Sequence, residues 1–264
     1  MVSARARKLE VRQYALEHGL SYLQALAKLQ PTEQSAFRGQ VIGFSSARGG
    51  GGKTSFTLLI AKLLRDAGKR VVVIDGDLQD GQIRCLVDGA SGYSSYDLKL
   101  RAESEGLTEE LVKAAVHSDH PNGISFLYAP ERPRNGTDDL IDQISFAVAV
   151  LRKSYDYVLI DSGVLWEGVP ATQAFLGLSD RIAVVTGFLE LHSLESWRTR
   201  SGFGGSVLEI RRVFSYESKL AAADTVTVPL LLSRDQLQCL VAGKPSDLDL
   251  GIYSEILTEI LRGA

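Results

Sequence analysis

The stretch Ala47-Arg48-Gly49-Gly50-Gly51-Gly52-Lys53-Thr54 follows an apolar run, Val41-Ile42-Gly43-Phe44, and precedes a helical one, Phe56 to Leu64. This order narrows the choice of fold more than any other feature of the chain, because a strand must turn sharply into a helix through a loop nearly free of side chains. The spacing Gly-x-x-Gly-Lys-Thr within that stretch aims successive backbone N–H groups at one anionic group. In such a loop Lys53 reaches the β- and γ-phosphates of a nucleotide and the Thr54 hydroxyl ligates Mg²⁺, while Gly49, Gly50, Gly51, Gly52 and Ser55 complete the cradle. Adjacent glycines also enlarge the entropy of the unfolded chain, at roughly 0.5–1 kcal/mol each relative to Ala. A run kept only for flexibility would be destabilising and would need neither Lys-Thr after it nor a strand before it.

Two further apolar runs end in acids. Arg70-Val71-Val72-Val73-Ile74 has the continuous β-branched character of a parallel strand buried on both faces, and it leads into Asp75-Gly76-Asp77-Leu78-Gln79. Along an extended backbone Asp75 and Asp77 point to the same side, at the carboxyl end of the strand, where open α/β sheets hold their ligands. The second run, Tyr157-Val158-Leu159-Ile160, ends at Asp161, the usual place of an acid that holds a Mg²⁺-bound water. One such Asp alone is more often a turn residue or a helix cap. Three acids on two strands behind a phosphate loop form a set.

With these residues in view the chain resembles the deviant Walker A ATPases of the ParA/MinD type, over about residues 40 to 190. Their loop, Lys-Gly-Gly-x-Gly-Lys-Thr, stands here as Arg48-Gly49-Gly50-Gly51-Gly52-Lys53-Thr54; their Asp-x-Asp strand end, followed by Pro-Gln or similar, as Asp75-Gly76-Asp77-Leu78-Gln79; their Walker B strand as Tyr155-Asp156-Tyr157-Val158-Leu159-Ile160-Asp161. The resemblance implies ATP and Mg²⁺ as cofactors and a nucleotide-dependent homodimer in which the first basic residue of the loop, here Arg48, crosses to the partner's phosphates. Arg48 keeps the charge of the family's Lys but adds a planar fork. By the same carry-over Asp77 positions or activates the attacking water, Lys53 stabilises phosphate charge, and Thr54, Asp75 and Asp161 shape the metal's surroundings. The chain departs from the family at Ser162-Gly163-Val164, where Ser/Thr-Pro-Pro or Ser-Pro-Ala is usual, and at Gly187-Phe188, where a Pro is common.

The implied function is an ATPase with slow, partner-stimulated hydrolysis that positions or partitions a cargo, either DNA or a cell-envelope or secretion machine. The alternative is a nucleotide-bound scaffold without turnover that recruits a partner through its N-terminal helices. A tyrosine autokinase on a similar core calls for a Tyr-rich tail, and Tyr253 is the only tyrosine near the end of this chain.

The alternation of strand and helix patterns predicts a doubly wound, mostly parallel α/β sheet with helices on both faces. Strands are expected near 41–46, 70–75, 124–129, 156–161 and 181–186, with another at 226–232; helices near 53–67, 108–117, 138–153, 190–200 and 248–262. No strand is placed between 198 and 225, where Gly202, Gly204 and Gly205 break the pattern. Residues 1–38 read as a helical appendage with two short amphipathic patterns, Gly19 and Ser21 marking a C-cap and an N-cap and Pro31 the end, and residues 39–264 as the ATPase domain.

Composition sets the remaining bounds. With 264 residues and 45% apolar content the chain can bury a full core. No apolar stretch nears the roughly 18 residues that cross a bilayer and no signal-peptide core is present, so a cytoplasmic location is expected. Cys85 and Cys239 lie too far apart in sequence to suggest a disulfide framework or a zinc site, and Pro121 breaks any helical pairing of His117 with His120. The net charge is −3, so contact with nonspecific DNA requires a local patch; residues 1–38 and 198–219 each carry a net +3. The C-terminal pattern Ile252, Ile256, Leu257, Ile260 alternates with Glu255 and Glu259, which suits core packing better than an anionic membrane surface.

Overall fold

A computed structural model describes residues 38–46, 49–87, 93–118, 123–131, 138–165 and 170–186, the strand backbones at 206–212 and 225–228, and the isolated positions 13, 14, 17 and 258. The expected appendage and the helices expected at 190–200 and 248–262 therefore fall, but for those isolated positions and Arg38, outside the described residues, as does Arg48.

Seven strands form one sheet: β1 (Gln40–Ser46), β2 (Val71–Gly76), β3 (Ser125–Leu127), β4 (Tyr157–Ser162), β5 (Arg181–Thr186), β6 (Ser206–Arg212) and β7 (Thr225–Val228). Their order is β3-β2-β4-β1-β5-β6-β7 and every pairing is parallel. β6 is the strand that the glycine-broken stretch hid, since Glu209, Arg211 and Arg212 interrupt its apolar run. Among the described residues six helices connect the strands: α1 (Lys53–Asp66), α2 (Ile83–Leu86), α3 (Ser95–Glu105), α4 (Glu109–Ala115), α5 (Asp138–Leu151) and α6 (Pro170–Gly177). α2, α3 and α6 have no counterpart among the helices expected from the sequence. α3 is mostly polar, so it lacks a strong apolar stripe; its start is set instead by a reciprocal cap between Ser94 and Asp97.

The period of two along the strands divides the core between the two faces. Val71, Val73 and Leu159 join Phe56, Leu59, Ile60 and Leu63 of α1 in one cluster. Val72, Ile74, Val158 and Ile160 join Leu98 of α3, Leu111 of α4, Ile144 and Val148 of α5 and Phe175 of α6 in the other. Both faces are thus covered, and the β-branched runs are buried throughout.

Where the sheet begins, the chain closes on itself. Gly39 N donates to Arg152 O at 2.7 Å, and Val41 N donates to Asp180 Oδ2 at 2.8 Å, while Arg152 pairs with Asp180. A side chain at position 39 has no room, because a Cβ there would stand 1.9 Å from the backbone oxygen of Tyr155. Gly39→Ala is expected to cost at least about 2 kcal/mol in urea unfolding, whereas Gly49→Ala, whose Cβ would meet nothing within 4 Å, should change stability by less than about 0.5 kcal/mol.

Candidate functional site

The strand order places β1 between β4 and β5, so the chain leaves β1 toward β2 on one side and later crosses to β5 on the other. The crevice at such a reversal is where open sheets bind ligands, and the carboxyl ends of β1, β2 and β4 meet there. The loop after β1 holds Gly50 at φ 71° and Gly52 at φ 88°, a left-handed backbone that a side chain would strain. Gly52 is also the N-cap of α1, so no side chain caps that helix and its first N–H groups stay available to an anion.

Lys53, the first residue of α1, extends toward the acids. Its Nζ donates to Asp77 Oδ2 at 3.0 Å, and both side chains are largely buried. Burial alone would lower the Lys53 pKa, but the Asp161, Asp77 and Asp75 carboxylates outweigh it and hold the ammonium above its usual value. Asp161, next to last in β4, stands opposite Asp75 of β2 in the ladder. Burial pushes the Asp161 carboxyl up to about 6, against the pull of Lys53 and of hydrogen bonds from Thr54 and Thr57. Thr57 Oγ1, which lies 3.4 Å from Asp161 Oδ1, also bonds Lys53 O at 2.9 Å.

Asp75 and Asp77 are used differently. Asp75 is buried beneath the turn that follows β2, where its oxygens accept the N–H groups of Asp77 at 3.3 Å and Ile83 at 3.2 Å. Burial, with the Asp161 charge beside it, drives the Asp75 pKa well up. The turn packs so closely over it that a Cβ on Gly81 would stand 2.9 Å from Asp75 Oδ2. Asp77 instead faces Lys53, and its other oxygen accepts Asp80 N at 3.1 Å.

Of the residues expected at the site, Lys53, Thr54, Asp75, Asp77 and Asp161 come together, beside a loop whose Gly49 and Gly50 are exposed. Thr57 belongs to the same group and was not expected. It lies four residues after Lys53, one helical turn on, and that spacing was its signal. The segment after β4, which departs from the family's pattern at Ser162-Gly163-Val164, lines a cleft of about 110 Å³ that runs between Gly76-Asp77-Leu78-Gln79 and a wall of Gly163, Val164, Pro170, Ala171 and Thr172. His117, by contrast, pairs its backbone with Phe126 and rests on the Tyr128 ring, and Cys85 is an exposed thiol.

These groups suit a nucleotide phosphate with its cation. Uncapped helix N–H groups and an ammonium match phosphate oxygens, and a threonine hydroxyl beside a carboxylate offers hard oxygen ligands. Among the described residues no three His, Cys, Asp or Glu side chains are grouped so as to hold a metal ion.

A family model described as an AAA domain matches residues 39–187, more than half of the chain. The chain belongs to this AAA-domain family. Within it the chain is similar to ParA/MinD-type P-loop ATPases. It is 31% identical over 147 residues to an uncharacterized ATP-binding protein of Methanocaldococcus jannaschii, covering 53% of this chain and 50% of that one. It is 28% identical over 123 residues to the septum site-determining protein MinD of Helicobacter pylori, covering 46% of this chain and 44% of the relative. The chain thus spans about half the length of the curated relatives it matches. The fold is shared with the Pyrococcus horikoshii MinD structure complexed with Mg-ADP, at a TM-score of 0.62 and 16% identity, over 84% of this chain and 95% of that one. Among the described residues no helix of this AAA-domain chain is long and apolar enough to cross a membrane.

The raised Asp161 pKa gives a pH dependence with a defined sign. The folded chain binds the Asp161 proton more tightly than the unfolded chain does, so the buried charge is destabilising above pH 6 and the penalty fades as pH falls from about 6 toward 4. Without nucleotide or metal, Asp161→Asn should therefore raise Tm by a few degrees at pH 7.5. At pH 5 that gain should shrink by about half, as thermal melts at the two pH values will register.

Proposed function

We propose that this chain is an ATP-switched positioning or partitioning ATPase, in which MgATP binding drives homodimerisation and slow hydrolysis resets the monomer. One observation carries the reading: Lys53, at the uncapped start of α1, is held 3.0 Å from Asp77 with Asp161 and Asp75 close enough to raise its pKa. Phosphoryl transfer depends mainly on positioning and charge stabilisation, and this is the side-chain set that such chemistry uses.

In this reading the loop amides, Lys53 and Ser55 hold the phosphates, Thr54 and Asp161 face the Mg²⁺, and Asp77 orients the attacking water. Asp75 acts from behind, fixing the turn that carries Asp77 through its bonds to Asp77 N and Ile83 N. ATP held here would supply the reacting phosphate, and its Mg²⁺ the positive charge that offsets the surrounding carboxylates. Arg48 reaches the partner's phosphates across the dimer. The basic stretches at 1–38 and 198–219 are the candidate contacts for nonspecific DNA or a protein partner, with cargo identity following from which of them engages.

The Lys53–Asp77 pair also competes with phosphate for the same ammonium. Asp77→Asn should consequently bind ADP about three- to ten-fold more tightly in calorimetric titration while turning over more slowly, a combination that loss of a water-orienting acid alone does not produce. A phosphate-release assay with and without nonspecific DNA tests the main reading. Measurable turnover that Lys53→Ala lowers by at least about 100-fold supports the switch. Nucleotide binding with no turnover under any condition supports the scaffold instead, and no detectable MgATP binding defeats both.

A further inference from the structure

The ladder between β1 and β4 ends at Phe44 and Asp161, yet the two strands stay joined beyond it. Ser162 Oγ donates to Phe44 O at 2.6 Å, Ser45 Oγ donates to Gly163 O at 2.6 Å, and Leu165 N donates to Ser46 O at 3.0 Å. Ser45 and Ser162 are wholly buried. On its other edge β1 continues its ladder with β5 through Ser46. Two buried hydroxyls therefore take over where the β4 ladder stops, and they set the direction in which residues 163–165 leave the sheet.

That direction matters because of what the segment faces. Gly163 and Val164 form part of the cleft wall opposite Asp77. Gly163 is pressed against α6, since a Cβ there would stand 2.6 Å from Thr172 Oγ1. The segment lies between the Ser45 hydroxyl on one side and α6 on the other, and Ser45 itself stands four residues before Gly49 of the loop. An interior hydroxyl that satisfies a buried carbonyl holds it in one place, and its loss leaves that carbonyl without this partner.

We propose that Ser45 is a positioning residue whose hydroxyl ties Gly163, and with it the cleft wall opposite Asp77, to the strand that carries the phosphate loop, so that filling the loop is transmitted to residues 163–165. The proposal rests on the nucleotide-binding reading given above. It requires no movement of the sheet, because the transmitting bond lies between the loop's own strand and the segment that turns away from β4.

Hydrogen exchange read by mass spectrometry on the full chain, with MgATP, MgADP or neither, tests it without depending on turnover. In the wild type MgATP should slow exchange both at residues 49–56 and at 162–165. Ser45→Ala should keep the first effect, with ADP affinity within about two-fold of wild type, and lose at least about half of the second. Ser45→Thr, which retains a donor hydroxyl, should preserve both. If Ser45→Ala does not fold, Ser45→Cys, close in volume but a weak donor, takes its place with the same expected loss. An effect at 49–56 that never reaches 162–165 in the wild type, or that reaches it equally in the Ser45→Ala protein, overturns the clasp and leaves nucleotide binding standing. Equal loss of protection at both segments assigns Ser45 a merely structural role and also overturns it. No MgATP effect at 49–56 in the wild type defeats the nucleotide reading and the clasp together.

Discussion

The ammonium of Lys53 organises the acidic end of the sheet. Three carboxylates, Asp75, Asp77 and Asp161, converge on the space beyond β2 and β4, and two of them are almost wholly buried. Burial disfavours their charged forms and their mutual repulsion adds to it, as the upward pull on Asp75 and Asp161 records. Lys53 offsets part of that repulsion and is itself kept charged by it. The fold thus maintains a site whose resting state is short of positive charge, and under the proposed function a cation would be held by the carboxylates and a phosphate by Lys53 and the helix N–H groups.

The sheet makes this arrangement inexpensive to hold in place. Parallel strands buried on both faces fix their ends relative to one another, so Asp75 and Asp161 sit side by side through ladder register rather than through side-chain contacts. α1 begins where the loop leaves β1, and its inner face packs Phe56, Leu59, Ile60 and Leu63 against the sheet. The helix therefore cannot slide without opening the core, and the position of Lys53 is set by apolar packing well away from any ligand. A loop that needs left-handed glycines at 50 and 52 can then be exposed and still be well placed, because both of its ends are anchored.

Much of this was legible in the residues themselves. Long β-branched runs such as Val71 to Ile74 announced buried parallel strands, and acids at their ends marked the crevice, because these signals are local and repeat with the period of the structure. β6 was hidden for the opposite reason: Glu209, Arg211 and Arg212 alternate with its apolar residues behind three glycines, and its pairing with β5 comes from the sheet rather than from its own pattern. α3 escaped in the same way, its start fixed by the Ser94–Asp97 cap and its helix otherwise polar. In the site, the distinct tasks of Asp75 and Asp77 could not be read from their two-residue spacing. The spacing put both on one side of an extended strand, but the chain turns after Gly76, so Asp75 is left under the turn and Asp77 swings to Lys53.

The departure at Ser162-Gly163-Val164 takes on meaning from this geometry. A proline at position 163 would stiffen the exit from β4 through its own ring. Gly163 gives no such stiffness, and the site next to Thr172 leaves no room for a Cβ, so the direction of the segment must be set from outside it. The hydroxyls of Ser45 and Ser162 supply that constraint from buried positions, in bonds of 2.6 Å each. A segment held by two side-chain hydrogen bonds and the backbone bond from Leu165 N to Ser46 O is fixed less permanently than one fixed by a ring, since each bond can be exchanged for another at a net cost of only about 1 kcal/mol. The wall opposite Asp77 is therefore ordered and still displaceable, the condition a site must meet if its two walls are to respond to the charge placed between them.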